Sequence, residues 1–212
     1  MSDEKKKKYA QHTTSKGTFK FCHLNKPNDK FKAEGEYSVD FLQTPEEAKA
    51  LTALIDAEMG LAAVQAKKDN PKVKNIKVAD KPYKMDTDQD GNETGLIKFK
   101  FKAKASGMKK DKKPWTFRPA VFDAKGGVIP NTVQIWGGTI GRVSFELMPF
   151  YTAQVGAGVS LRLKAVKILD LKTGQGRDAK AYGFGDEEDG YSAEGAQVEQ
   201  AGGGEADGSQ DF

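Results

Sequence analysis

One cysteine, two histidines and no lysine or arginine after Lys180 are the most informative scarcities in this 212-residue chain. A lone thiol, Cys22, excludes an internal disulfide and leaves nothing for a zinc cluster. Cys22 lies in an apolar, alternating stretch, so it reads as a core thiol rather than a nucleophile. His12 falls in a polar N-terminal arm, and His23 sits among strand residues and reads as structural. No Ser-His-Asp, Cys-His or paired-carboxylate arrangement emerges, and no catalytic residue, metal site or cofactor is expected. No apolar run approaches the roughly 20 residues that span a bilayer. Met1–Lys8 is charged with no apolar segment behind it, unlike a secretory signal. The expected setting is reducing and cytoplasmic, away from membranes. Gly137-Gly138-Thr139-Ile140-Gly141 lacks the lysine of a phosphate loop and precedes no helix, so an ATP-driven motor is not expected.

The missing C-terminal cations split the molecule electrically. All 34 basic residues lie at or before Lys180, against 21 of the 30 acids, a net of +13 for residues 1–180. Residues 181–212 carry the other nine acids, among them Asp186, Glu187, Glu188, Asp189, Glu205, Asp207 and Asp211, and end in Phe212. A basic body joined to an acidic tail points to nucleic-acid contact plus an interaction tail. The tail is rich in Gly, Ala, acids and Gln, and cannot bury enough apolar surface to offset its ordering entropy, so disorder is expected there. The chain thus divides into a flexible basic arm (1–16), a folded domain (17–180) and the tail (181–212).

Within the domain, strand signals dominate. Gly17–Leu24 alternates, with Phe19 and Phe21 two apart, and Lys26-Pro27-Asn28-Asp29 reads as a turn. Phe31, Ala33, Gly35, Tyr37, Val39 and Phe41 share one face of a long strand that Gly35 allows to bend. Thr44-Pro45-Glu46-Glu47 opens a helix through a capping box, with proline at the first helical position. Ala48, Leu51, Ile55, Met59 and Ala62 continue it as one apolar stripe over about 44–67. Lys72–Tyr83 gives no firm assignment, and Asp86–Gly95 reads as a polar loop. Leu96–Ala105 alternates again, with Ile97, Phe99, Phe101 and Ala103 on one side and Lys98, Lys100, Lys102 and Lys104 on the other. A lysine-rich loop follows, with Lys109, Lys110, Lys112 and Lys113. Trp115–Asp123, Val133–Trp136, Arg142–Met148 and Gly158–Leu171 read as further strand segments. The last shifts phase near Val166, as a β-bulge would make it do. Many short strands and one helix predict a mainly β fold, an OB-fold: a five-stranded Greek-key barrel with one capping helix.

Two segments carry chemistry. A binder of single strands needs a positive groove for phosphates and aromatic faces for bases, each stacked base contributing about 1–3 kcal/mol. Lys98–Arg118 offers both: eight lysines, then Trp115, Phe117 and Arg118. Phe99 and Phe101 read as core. Trp136 either stacks on a base or plugs the barrel, and Tyr83 and Arg142 are weaker candidates. The acidic tail, tethered at an effective concentration of about millimolar, can occupy a basic groove when DNA is absent. Phe212, with its ring and free carboxylate behind Asp211, suits a partner pocket with a basic rim. Asp86-Thr87-Asp88-Gln89-Asp90-Gly91 copies the start of a calcium loop, but the twelfth position is Ile97 and no helix precedes it. It reads as a polar turn. A metal-dependent nuclease using Asp86, Asp88 and Asp90, or an RNA-binding or annealing module of the cold-shock kind, would be the alternatives.

The order of these parts resembles the single-stranded DNA-binding proteins of T-seven-like short-tailed phages. The resemblance rests on the strand Gly17–Leu24, the helix opening Thr44-Pro45-Glu46-Glu47, the segment Val155–Val166 (VGAGVSLRLKAV), and the acidic tail closed by Asp211-Phe212. It implies an OB-fold that coats and anneals single-stranded DNA in phage replication, recombination and repair. It also implies that Asp211-Phe212 and nearby acids contact the phage DNA polymerase and primase-helicase, and that the protein forms a homodimer involving the tail.

Overall fold

The computed structural model describes residues 9–30 and 33–172. Ten strands and one helix follow one another as β1 (Gln11–Thr13), β2 (Gly17–Asn28), β3 (Glu36–Gln43), α1 (Pro45–Asp69), β4 (Tyr83–Thr87), β5 (Glu93–Lys104), β6 (Ser106–Met108), β7 (Pro114–Thr116), β8 (Ala120–Phe122), β9 (Ile140–Thr152) and β10 (Gly156–Asp170). The expected mainly β architecture with one helix is what the chain forms. In the larger sheet, β9, β2, β3, β5 and β10 pair in that order, and a β9–β10 hairpin joins the two ends of the series. β5 and β10 run parallel, whereas β2–β3, β3–β5, β2–β9 and β9–β10 are antiparallel. β1, β4 and β8 extend this sheet by pairing with β9, β5 and β10, and β6–β7 form a separate hairpin.

The period-two pattern explains which way each strand faces. Tyr37, Val39 and Phe41 of β3, Phe99, Phe101 and Ala103 of β5, and Val143, Phe145 and Leu147 of β9 all turn inward. Phe19, Phe41, Phe101 and Phe145 form an aromatic chain through the core, with ring centroids 5.9, 6.0 and 5.1 Å apart. Tilted and edge-on pairs at these spacings contribute about 0.5–1.5 kcal/mol each beyond their buried area. On β10, Val159, Leu161 and Leu163 face inward, and the phase then changes to Val166 and Ile168. The cause is the expected bulge, which falls between Leu163 and Ala165 in the pairing with β9.

α1 begins as its sequence dictates. The Thr44 hydroxyl accepts from the Glu47 N–H at 3.3 Å, and the Glu47 carboxylate accepts from the Thr44 N–H at 3.3 Å. Its buried stripe is Ala48, Leu51, Ile55, Met59, Ala62 and Ala66, packed chiefly on β9 and β10.

Several expectations are corrected. Gln11–Thr13 is not part of a loose arm: it pairs with β9, and His12 lies 5.7 Å from the Phe145 ring. The predicted turn at Lys26–Asp29 lies mostly inside β2, where Pro27 falls in an irregular stretch of the β2–β3 pairing and no ladder bond needs its missing N–H. Gly35, at φ +70°, belongs to the turn before β3, so the long strand predicted from Phe31 starts only at Glu36. The Trp115–Asp123 strand is two short ones, β7 and β8, broken around Pro119, and Val133–Trp136 is loop. The polar loop begins later than expected, since Asp86 and Thr87 belong to β4. Residues 1–8 and 173–212 lie outside the described residues, and with them every tail residue proposed to bind partners.

Candidate nucleic-acid interface

The outer faces of β2, β3 and β5 lie side by side. Their register sets Lys20 opposite Asp40 and Asp40 opposite Lys100, with Lys102 opposite Ser38 and Lys104 opposite Glu36. The alternation of β5 produces the row: Phe99, Phe101 and Ala103 must be buried, so Lys98, Lys100, Lys102 and Lys104 must point out.

The four lysines are not equivalent. Lys98 is held by Asp86 at 2.8 Å, and Lys104 reaches Glu34 at 3.5 Å. Lys100 and Lys102 form no ion pair among the described residues and line a groove of about 410 Å³. Tyr83, Lys84, Lys98, Asp40 and Phe150 line the same groove. A second groove, about 240 Å³, is lined by Phe21, His23, Asn28, Glu36, Ser38, Asp40 and Lys100. The two grooves therefore share Asp40 and Lys100.

Phe21 is the residue that periodicity misassigns. Spaced two from Phe19, it should share the inner face, yet it is 65% exposed while Phe19 is fully buried. Its backbone lies in the left-handed region at φ 49°, within the register shift between Lys20 and His23. A non-glycine residue rarely adopts that conformation, and here it turns the ring outward. The sequence holds one signal: Leu24 follows Phe21 by three residues, an odd step that an unbroken strand cannot put on one face, and Leu24 is the buried one. Lys20 Nζ lies 5.5 Å from the Phe21 ring centre. Phe150, also exposed and also missed, lies on β9 at the rim of the larger groove. His23, read as structural, lines the second groove.

The other residues singled out in the sequence lie elsewhere or are partly committed to packing. Tyr83 sits 5.6 Å from the Phe99 ring and its hydroxyl donates to Asp56 of α1, so it helps dock the helix while one edge borders the groove. Lys81 joins that cluster, and its pKa is raised by hydrogen bonds to Asp56 and Tyr83. Phe117 packs partly against the core. Trp115 is half-buried over Gly107 in the β6–β7 hairpin, where an added Cβ would lie 2.8 Å from the indole. Lys109, Lys110, Lys112 and Lys113 occupy the exposed tip of that hairpin, and Arg118 is exposed beyond it. Trp136 is 52% exposed, and the neighbouring Ile135 is buried instead, so Trp136 does not fill the core. Arg142 is exposed on β9 opposite Lys167 and lines neither groove.

The acids of the calcium-like stretch are engaged by the protein itself. Asp86, at 1% side-chain exposure, binds both Lys20 (2.9 Å) and Lys98 (2.8 Å). Burial would raise its pKa, but the hydrogen bonds from Lys98 and Lys20 outweigh that and hold it below the ordinary carboxylate value. Asp88 Oδ1 accepts from the N–H groups of Asp90 and Asn92, closing a turn, and those bonds lower its pKa. Cys22 packs against the core, and burial, with the nearby Asp40 charge, pushes its thiol up to about 12, so it stays protonated.

Grooves lined by lysines that no described acid pairs, with two exposed aromatic rings beside them, offer the chemistry suited to a polyanion with flat substituents. Comparison with known proteins gives the family. Residues 16–171 match the family model described as Single-stranded DNA-binding protein, Bacteriophage T7, and the chain belongs to that family. A single-stranded DNA-binding protein of Escherichia phage T7 is 34% identical over 172 residues, which is 76% of this chain and 73% of that protein. Its counterpart in Enterobacteria phage T3 is 31% identical over 209 residues, 91% of this chain and 88% of the relative. The crystal structure of the single-stranded DNA-binding protein encoded by bacteriophage T7 superposes with a TM-score of 0.67 at 26% identity, covering 88% of this chain and all of that one. The protein from bacteriophage Enc34, solved in complex with ssDNA, shares the fold with a TM-score of 0.55 at 18% identity, covering 78% of this chain and 89% of that one. Among the described residues no helix is long and apolar enough to cross a membrane.

Proposed function

We propose that this protein coats single-stranded DNA without catalysing a reaction on it, the strand lying along the outer face of β2, β3 and β5. The observation that carries the reading is the meeting of two grooves at Lys100, each bearing one exposed aromatic ring, Phe21 in one and Phe150 in the other. Rings supply stacking shelves for any base and unpaired lysines neutralise phosphates, a combination that tolerates sequence and responds steeply to salt. Membership in a family named for single-stranded DNA binding supports it. So does the charge of +13 on residues 1–180.

The five mutually paired strands β2, β3, β5, β9 and β10 make an OB-type Greek-key barrel in this reading, with α1 across the β9–β10 side. The ring of pairings and the parallel β5–β10 contact support that assignment. The protein acts in host cytoplasm during phage replication, recombination and repair, promotes annealing, and forms a homodimer. Its acidic tail, ending in Asp211-Phe212, recruits the phage DNA polymerase and primase-helicase and competes with DNA for the basic face. Removing residues 186–212 should therefore tighten oligonucleotide binding, measured as a lower Kd at moderate salt. Unchanged or weaker binding would end the case for competition.

The direct test is Phe21→Ala, assayed by fluorescence anisotropy with labelled oligo-dT. Loss of one stacked base predicts affinity lower by about 5- to 150-fold, equivalent to ~1–3 kcal/mol. The melting temperature should hold, because the ring is 65% exposed. Unaltered affinity would move the strand away from this face, towards the Trp115 hairpin.

A further inference from the structure

Two carboxylates stand among the same lysines on the β2–β3–β5 face, and the fold treats them in opposite ways. Asp86 is sealed from water by its two ion pairs with Lys20 and Lys98. Asp40 accepts no hydrogen bond and makes no ion pair with any described residue, although the register places it between Lys20 and Lys100. Lys20 has turned to Asp86 and the carbonyl of Thr87 instead. Asp40 is half-buried, and burial raises its pKa against the lowering effect of Lys100, Lys98 and Lys20, with Asp86 adding to the rise. Its carboxylate has lost part of its water without gaining a described protein donor, at a desolvation cost. Asp40 lines both grooves, with Phe21 in one and Phe150 in the other.

We propose that Asp40 reads the bases of the bound strand, its carboxylate accepting a hydrogen bond from the exocyclic amine of a base stacked in either groove, so that the interface favours cytosine over thymine. This rests on the reading of these grooves as the single-strand site. The chemistry follows from the two pyrimidines. Cytosine presents an N4–H₂ donor, the known partner of Asp and Glu at base edges, where thymine presents a carbonyl oxygen and a methyl group. A carboxylate facing that oxygen stays unpaired and is repelled by it. A site built around an unpaired acceptor discriminates against a ligand lacking the donor, because a bound base shields the carboxylate from water and leaves it unpaired. The lysines and rings supply affinity for any strand, and Asp40 adds a bias among strands.

The experiment compares oligo-dC, oligo-dT and an oligomer of 2-pyrimidinone, which is cytosine without its amino group, on the full-length protein and on Asp40→Asn. The unaltered protein should bind oligo-dC roughly tenfold more tightly than oligo-dT, within the range for a hydrogen bond to a charged group. The pyrimidinone strand should bind no better than oligo-dT. Asp40→Asn should bring the dC-to-dT ratio close to one, mainly by tightening oligo-dT. The substitution is isosteric. A carboxylate whose pKa is raised in the folded state contributes stability that is full below its unfolded value near 3.9 and is lost as pH rises through the raised folded value. At pH 7 the variant should therefore melt no lower than the parent. Equal tightening of all three strands by Asp40→Asn would make Asp40 a plain electrostatic brake and overturn base reading. So would a pyrimidinone strand that binds the unaltered protein like oligo-dC, a result that needs no variant. Failure to bind either pyrimidine strand at low salt would instead overturn the single-strand reading of the grooves, and base reading with it.

Discussion

Alanine at both Lys100 and Lys102 should flatten the salt dependence of oligo-dT binding by about 1.4 in slope, since each phosphate contact on a single strand contributes about 0.7. At 0.1 M salt the same loss corresponds to affinity lower by roughly 25-fold. These two lysines are chosen because no described acid pairs with them in the larger groove, whereas Lys98 is held by Asp86 and Lys104 by Glu34. Both are exposed, so melting should be unchanged. The informative control is Lys112→Ala with Lys113→Ala, at the tip of the β6–β7 hairpin. If the hairpin pair removed the slope and the β5 pair did not, the strand would follow the hairpin and the groove assignment would be wrong. The four lysines of β5 and the four of the hairpin are alike in the sequence. Only their pairing in three dimensions separates them.

Asp86→Ala should be the most destabilising single change on this face. It strands two ammonium groups, at 28% and 15% side-chain exposure, that the fold brings together from β2 and β5. Breaking a buried ion pair by removing one partner costs about 3–5 kcal/mol. The lower part of that range applies here, because Asp86 is sealed by its lysines rather than by depth and water can reach the orphaned amines. At about 2–4 °C per kcal/mol for a body of this size, melting should fall by roughly 6–12 °C. The pH dependence has a definite sign. The folded pKa of Asp86 is lowered, so its contribution is full above the unfolded value near 3.9 and is lost as pH falls through the folded value. The difference in stability between the parent and Asp86→Ala, followed by thermal melts from pH 7 downwards, should hold to about pH 4 and shrink below it. A difference that stayed constant into acid would show that the ion pairs are not its source. If instead Asp86 served a nuclease metal, the variant would lose Mg²⁺-dependent cleavage of labelled oligonucleotide, and the parent would have to show such cleavage first.

Much of the scaffold could be read before any coordinates. The helix opened at Thr44 as its capping box dictates, and its stripe from Ala48 to Ala62 is the buried one. The inward residues of β5 and the bulge in β10 followed from period two and its interruption. The site was less legible. Lys98, Lys100, Lys102 and Tyr83 do border one groove, but Trp115, Arg118, Trp136, Arg142 and the hairpin lysines line neither groove, and Phe117 packs partly on the core. Phe21 was hidden because a single left-handed residue reverses the face of everything after it, and strand alternation assumes that no such residue is present. Phe150 was hidden because its groove is made by β3, β4, β5, β9 and β10 together.

From sequence alone come the segregation of charge between residues 1–180 and the tail, the mainly β fold with its one helix, and the lysine row on β5. These are properties of composition and local period, carried by neighbours a few residues apart. Which lysines remain unpaired, which rings face outward and which acid is left without a donor were decided only by tertiary structure. Each depends on partners brought from strands far apart in the chain, such as Lys20 and Asp86. An ion pair or a groove is a property of that meeting, and no short stretch of sequence contains it.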